Sequence, residues 1–195
     1  MGDSKFKEMW ERVASLLTLS QEELAEVAEE LRKDKPSADR YILIRILGKG
    51  GGISYRQMVE GFLNSPGDPM LAQSALWTLC IYWGLTGQYL PQVQDFVQGV
   101  SWDSEEDVRI SAITIAGEYL RAKPNPTLLR QLMTIFENPE ERQIVREVAY
   151  RALGRAIGRA HTELPGGSRS LDWAKDIDPT ILQAAKRRFS EETSE

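Results

Sequence analysis

The chain has little of the chemistry from which most catalytic and metal sites are built. Its 195 residues include one cysteine, Cys80, and one histidine, His161. A single cysteine excludes an internal disulfide and any Cys-rich metal site. With a single histidine beside it, neither a His-x-x-x-His nor a Cys-pair ligand spacing can be written. His161 also has no Ser, Cys or carboxylate at a fixed spacing that would make a nucleophilic set. Long hydrophobic runs are missing too. The longest, Leu76 to Leu85, is interrupted by Thr78 and Gly84 and is too short to span a bilayer. The opening residues Met1-Gly2-Asp3-Ser4-Lys5-Phe6 carry no apolar signal core, and Phe6 departs from the myristoylation pattern. The expectation is a cytoplasmic protein with no catalytic residues, no cofactor, no metal and no membrane contact.

Charge narrows the function classes further. The net charge is −5, which disfavours a protein whose whole surface binds nucleic acid. Its distribution is uneven. Between Arg142 and Arg188 there are ten Lys or Arg against five Asp or Glu, a local +5 that leaves −10 for the remainder. The chain is therefore acidic toward its N-terminal end and basic near its C-terminal end.

What the sequence does contain is a repeat. Leu71-Ala72-x-x-Ala75-x-x-x-Leu79-Cys80, Val108-Arg109-x-x-Ala112-x-x-x-Ala116-Gly117 and Val145-Arg146-x-x-Ala149-x-x-x-Leu153-Gly154 align without a gap, each displaced from the last by 37 residues. Apolar or small residues at the first, fifth and ninth positions share one helical face. A looser copy, Asp39-Arg40-x-x-Leu43-x-x-x-Leu47-Gly48, stands 32 residues before the first of these. A second helix is expected after each. One is opened by a capping box at Ser54-x-x-Gln57 ahead of Tyr55, Met58, Val59, Phe62 and Leu63. Another carries Val93, Phe96, Val97 and Val100. Two more start at Asn125-Pro126 and Asp178-Pro179, with the Asn or Asp at N-cap and Pro at the first helical position. Asp68-Pro69 and Asn138-Pro139 are expected to open helices in the same way. A period of this length fits stacked helical hairpins, since one hairpin cannot bury its apolar stripe alone.

The Val-Arg-x-x-Ala-x-x-x-(Ala/Leu)-Gly pattern at 108–117 and 145–154 resembles the first helix of HEAT repeats. The resemblance covers about residues 38–190, well in two copies and loosely in two. It implies an all-α fold, an α-solenoid of about four HEAT-like helical hairpins with second helices lining a concave face. Residues 1–37 would form an N-terminal helical cap. There Lys5–Leu17 reads as one amphipathic helix with Phe6, Met9, Trp10, Val13, Leu16 and Leu17 apolar. Ser20-x-x-Glu23 is a capping box for a second helix to about Arg32, with Leu24, Val27 and Leu31 inward. Residues 191–195 read as a disordered tail. The family is functionally broad, so the resemblance implies a fold and no particular activity.

The repeat breaks once. Gly117 to Pro126 takes 9 residues, while Gly154 to Pro179 takes 25, an insertion of 16 that holds His161, Pro165-Gly166-Gly167-Ser168 and Trp173. Two readings stand side by side. The insert, about residues 159–177, is a binding element, as insertions in repeats often are. Alternatively, the preceding helix runs on past Arg159 while Leu171 and Trp173 cover the end of the core.

Candidate partner-binding residues follow from these patterns. Arg151, Arg155 and Arg159, spaced i, i+4 and i+8, would share a helix face that repels itself unless acids pair with it. Paired, they are structural; unpaired, they make an anion-facing patch reinforced by Lys186, Arg187 and Arg188. Arg109 and Arg146 recur in register and read as an Arg-to-acid ladder between neighbouring hairpins. The outward residues of the second helices are Arg56, Gln57 and Glu60, then Gln94, Asp95 and Gln98, then Arg130, Gln131, Thr134 and Glu137. This mixed, amide-rich set suits a protein partner better than a polyphosphate. Trp77 reads as core, and Tyr82, Trp83 and Tyr89 as rings clustered at a hairpin turn. Cys80 reads as an inert core thiol. Gly48-x-Gly50-Gly51-Gly52 follows a helix and reads as its C-cap and turn rather than a phosphate loop.

The expected function is a non-enzymatic protein-protein interaction module acting through the concave face and the insert, in its narrowest form an inhibitor or immunity protein. The alternative is a nucleic-acid-binding or DNA-repair HEAT-like protein using the basic C-terminal face. A scaffold for a bound chromophore has only the aromatic cluster behind it.

Overall fold

Apolar stripes set the helical segments, and side-chain caps at Ser20 and Asn125 fix the starts of two of them. A computed structural model describes residues 2–165, 171–173 and 175–192, and the regular structure among them is entirely helical. The chain divides into two compact units, Met1–Tyr89 and Leu90–Glu195. The expected loop residues Gly166, Gly167 and Ser168 lie outside the described residues, as do 193–195 of the expected tail. Helix α10 below extends through residues 191 and 192, which had been expected to be disordered.

In the first unit, α1 (Gly2–Ala14) buries Phe6, Met9 and Val13. It ends three residues early. Leu16 takes a left-handed φ of 62°, and the Leu17 N–H closes the turn on the Arg12 carbonyl at 3.0 Å. Leu16 and Leu17, expected on the apolar face, are 89% and 57% exposed as a result. Helix α2 (Gln21–Arg32) opens on the expected capping box. Glu23 N–H donates to Ser20 Oγ at 3.2 Å, and Ser20 N–H donates to the Glu23 carboxylate at 2.8 Å. Leu24, Val27 and Leu31 are buried as expected.

Helix α3 (Arg40–Lys49) places Leu43, Ile44, Ile46 and Leu47 in the core. The glycine run then turns the chain, with Gly51 at φ 85° and the Gly50 and Gly52 amides on the carbonyls of Ile46 and Leu47, both at 2.8 Å. The capping box expected at Ser54 does not form. Ser54 lies inside a 3-10 turn, Ile53–Tyr55, and α4 is only Arg56–Glu60, because Gly61 follows at once. Helix α5 (Pro69–Trp77) continues through a π-helical turn, Thr78–Tyr82. Thr78 Oγ1 bonds the Ile44 carbonyl at 3.4 Å, and a Cβ on Gly48 would stand 2.5 Å from the Tyr82 ring. Gly48 is what lets that ring lie against α3.

The second unit comprises α6 (Leu90–Gln98), α7 (Asp107–Ala122), α8 (Pro126–Glu137), α9 (Gln143–Ala156) and α10 (Pro179–Glu192). Helix α7 packs on α6, α8 and α9, while α10 packs on α8 and α9. Asn125 caps α8 by accepting the Leu128 N–H at 2.8 Å, as expected. Asn138-Pro139 does not open a helix. Asn138 instead accepts the Glu140 N–H in a turn, and α9 begins at Gln143.

The 37-residue period has a direct physical expression. Gln131 bonds the Gln94 carbonyl, Arg142 the Glu105 carbonyl and Arg155 the Glu118 carboxylate, each pair 37 residues apart. The repeat glycine sets the spacing of α7 and α9: a Cβ on Gly117 would stand 2.7 Å from Ala152 Cα and 2.8 Å from its carbonyl oxygen.

Candidate binding surfaces

The arginines at the second repeat position cap helices. Arg109 Nε donates to the Val97 carbonyl at 3.1 Å, and Arg146 Nε to the Phe136 carbonyl at 3.0 Å. Each satisfies a carbonyl in the last turn of the preceding helix, where no intrahelical donor remains. Arg109 also pairs with Glu106 at 2.7 Å and Glu141 at 2.8 Å, which is the Arg-to-acid ladder. Arg146 finds a ring instead. Its guanidinium lies 4.2 Å from the centroid of Trp173, which stacks on Phe136 at 5.6 Å.

The arginine stripe is largely tied down. Arg155 grips Glu118 with two bonds of 2.7 and 3.0 Å and also donates to the Arg159 carbonyl. Arg121 at 3.3 Å and His161 at 3.2 Å reach the same carboxylate. The bond from Arg155 holds the Glu118 carboxyl below the ordinary glutamate range, against the opposing effect of burial. Arg151 stands 4.0 Å from the buried Glu147. Arg159 is not on the stripe at all, because α9 stops at Ala156 and Gly158 turns the chain at φ 92°. Of the three arginines, only Arg159 is exposed. Among the supporting basic residues, Arg188 bonds the Ala156 carbonyl and Lys186 pairs with Glu137 at 2.7 Å.

The insert covers the end of the helical packing. Gly154 sits at the same repeat position as Gly117, yet it faces the side chain of Leu164 instead of another helix. Leu164 and Leu171 are buried. Glu147, itself buried, accepts the Leu171 N–H at 2.9 Å and the Gln143 amide at 2.8 Å. Tyr150 Oη accepts the Asp178 N–H at 2.8 Å. The preceding helix does not extend past Arg159, but Leu171 and Trp173 lie over the core. His161 remains exposed apart from its contact with Glu118.

The outward residues of the second helices fall into two places. In the second unit, α6 and α8 border a cleft of about 280 Å³. Gln98, Arg130 and Thr134 line it beside Gln131, over apolar walls from Val97 and Ile135. Gln94 is joined to Gln131 through its carbonyl, and Asp95 is exposed on the same helix. In the first unit, Arg56 is held by Glu60 at 3.3 Å and Gln88 at 3.0 Å.

Trp77, Tyr82, Trp83 and Tyr89 are half-buried rather than core or surface. Trp77, expected in the core, is one of these. Trp83 Nε1 donates to the Gly48 carbonyl at 3.2 Å, and Tyr89 Oη bonds Glu60, its pKa pushed up by burial first and by that carboxylate second. Burial also raises the Cys80 thiol pKa to about 12, consistent with an inert core residue.

Among the described residues, no group of three His, Cys, Asp or Glu side chains is placed to hold a metal ion. No helix among them is long and apolar enough to cross a membrane. No family model matches the chain, and neither the curated proteins nor the solved structures yield a match.

Proposed function

We propose that the chain is a HEAT-like stack of helical hairpins that acts as a non-enzymatic protein-binding module, with the α6–α8 cleft as its contact surface. The carrying observation is that Gln98, Arg130 and Thr134, which lie on two helices 37 residues apart in register, line one cleft with apolar walls. Such a surface offers a partner apolar contact at its centre and hydrogen-bonding groups at its rim. The three residue pairs bonded at a spacing of 37 support the stacked arrangement. The insert, with Leu164, Leu171 and Trp173 over the last core layer, fits the capping element that a stack of hairpins needs. An inhibitor or immunity protein that occludes an enzyme is the narrowest form of this reading.

The pairing of Arg155 with Glu118 and of Arg151 with Glu147 weighs against a phosphate-binding stripe. The test compares the parent chain with the double variant Arg130→Glu/Thr134→Lys in affinity purification from native lysate. A stoichiometric protein recovered by the parent and lost by the folded variant supports the proposal. Recovery of no such protein, or equal recovery by both, refutes it. Salt-sensitive retention of a duplex DNA that is abolished by Arg159→Glu/Arg187→Glu favours nucleic-acid binding instead.

A further inference from the structure

Arg45 stands apart from the other half-buried arginines among the described residues. Every other half-buried arginine among the described residues has a carboxylate or carbonyl partner; Arg12 with Glu23, Arg109 with Glu106 and Arg188 with the Ala156 carbonyl are examples. Arg45 is half-buried and has neither a hydrogen bond nor an ion pair among those residues. One turn on, at i+4, stands Lys49, which also lacks an ion pair. Its ammonium instead lies between two rings, 5.4 Å from the centroid of Trp10 and 5.8 Å from that of Tyr82. The Asp39 carboxylate raises the Tyr41 hydroxyl pKa, and the Arg45 charge opposes it.

Like charges at i and i+4 repel, and an arginine that buries its stem while its head meets no acid keeps a guanidinium available to a partner. Among the described residues no carboxylate pairs with either side chain, and the rings beside Lys49 leave its charge unneutralised. We propose that Arg45 and Lys49, side by side on α3 and flanked by Trp10 and Tyr82, form a docking face for an acidic segment of a protein partner.

A nucleic-acid partner fits less well, for two reasons. A nucleic-acid strand would need bases to stack on open ring faces, and Lys49 already lies over both the Trp10 and the Tyr82 ring. Two cations also neutralise about two phosphates, against about six to ten in proteins that hold DNA firmly, and the chain's net charge of −5 opposes a polyanion. One or two carboxylates next to apolar side chains match both the charge and the ring edges. Arg, Trp and Tyr are the residues that dominate binding at protein interfaces. This face is independent of the α6–α8 cleft.

The test begins from a displayed library of random 12-residue peptides selected on the intact chain. Selected peptides should be enriched in Asp and Glu, and a synthesised representative should bind about tenfold or more weakly to Arg45→Gln and to Lys49→Gln. Lys123→Gln, at an exposed lysine outside both surfaces, should leave its affinity unchanged. The thermal midpoint of Arg45→Gln should equal or exceed the parent's, since no hydrogen bond or ion pair to a described residue is lost and a repulsion is relieved. Failure to select peptides, selection of peptides without acids, or affinity indifferent to Arg45 overturns the proposal. So does a fall in the Arg45→Gln midpoint comparable to that of Arg155→Gln, which would make Arg45 structural. A fluorescent oligothymidine that binds in an Arg45-dependent way where acidic peptides do not would assign the face to nucleic acid.

Discussion

Replacing Gly117 by alanine adds one methyl group at the closest approach of α7 and α9. The new carbon would lie 2.7 Å from Ala152 Cα and 2.8 Å from its carbonyl oxygen, where an ordinary contact is near 3.5–4.0 Å. The obstacle is backbone, so relief requires the two helices to move apart rather than a side chain to rotate. Intrinsic propensity pulls the other way, favouring Ala over Gly in a helix by about 1 kcal/mol. Overpacking costs about 1–3 kcal/mol, with the upper end expected against backbone. The net is a loss of about 2 kcal/mol, or a midpoint lowered by about 4–8 °C in a chain of this size. Two companions calibrate the result. Gly154→Ala meets only the flexible end of Leu164 and should change stability by less than about 1 kcal/mol. Gly67→Ala points into open space and should be neutral or stabilise by about 0.4–1 kcal/mol. Urea and thermal unfolding followed by circular dichroism measure all three. A Gly117→Ala protein as stable as its parent, or a Gly154→Ala protein that loses more, would show that α7 and α9 do not touch in this way.

Glu118 makes the chain acid-sensitive. Its carboxyl is depressed in the folded state, so its contribution to stability is complete above the ordinary glutamate value of 4.5 and drains away as the pH falls below it. Glu118→Gln should flatten part of the stability loss between about pH 5 and 3, and an acid limb of unchanged steepness would contradict this. Cys80, its pKa raised to about 12 by burial, should resist Ellman's reagent at pH 8 and react at once in urea. Rapid labelling of the native protein would refute its burial. Trp173→Ala removes the stacking on Phe136 and the cation contact with Arg146, and should cost about 1–2 kcal/mol while speeding proteolysis within residues 159–177. If both the urea midpoint and the cleavage rate stay at parent values, the insert does not hold the core end closed.

Sequence alone determined what depends on near neighbours. The helical faces, the caps at Ser20 and Asn125, the glycine turn after α3 and the interval of 37 follow from side chains a few residues apart or from a spacing that repeats. The recurrence of Arg109 and Arg146 was legible for the same reason, although the ring that Arg146 meets was not. Local signals failed where two were in competition. Leu16 fits an apolar stripe, yet it sits at the left-handed residue that ends the helix. Ser54 fits a capping box, yet glycines on either side leave room only for a 3-10 turn and five helical residues. The candidate sites were decided by the tertiary structure, because a charge is structural or available according to what lies across from it. Arg151, Arg155 and Arg159 look equivalent in sequence. One faces Glu147 from a turn away, one is clasped by Glu118 from another helix, and one lies beyond the helix end. Arg45 and Lys49 carried no distinguishing signal in the sequence. Only the packing of α1, α3 and the π turn after α5 sets rings beside Lys49 and leaves both cations without an acid among the described residues.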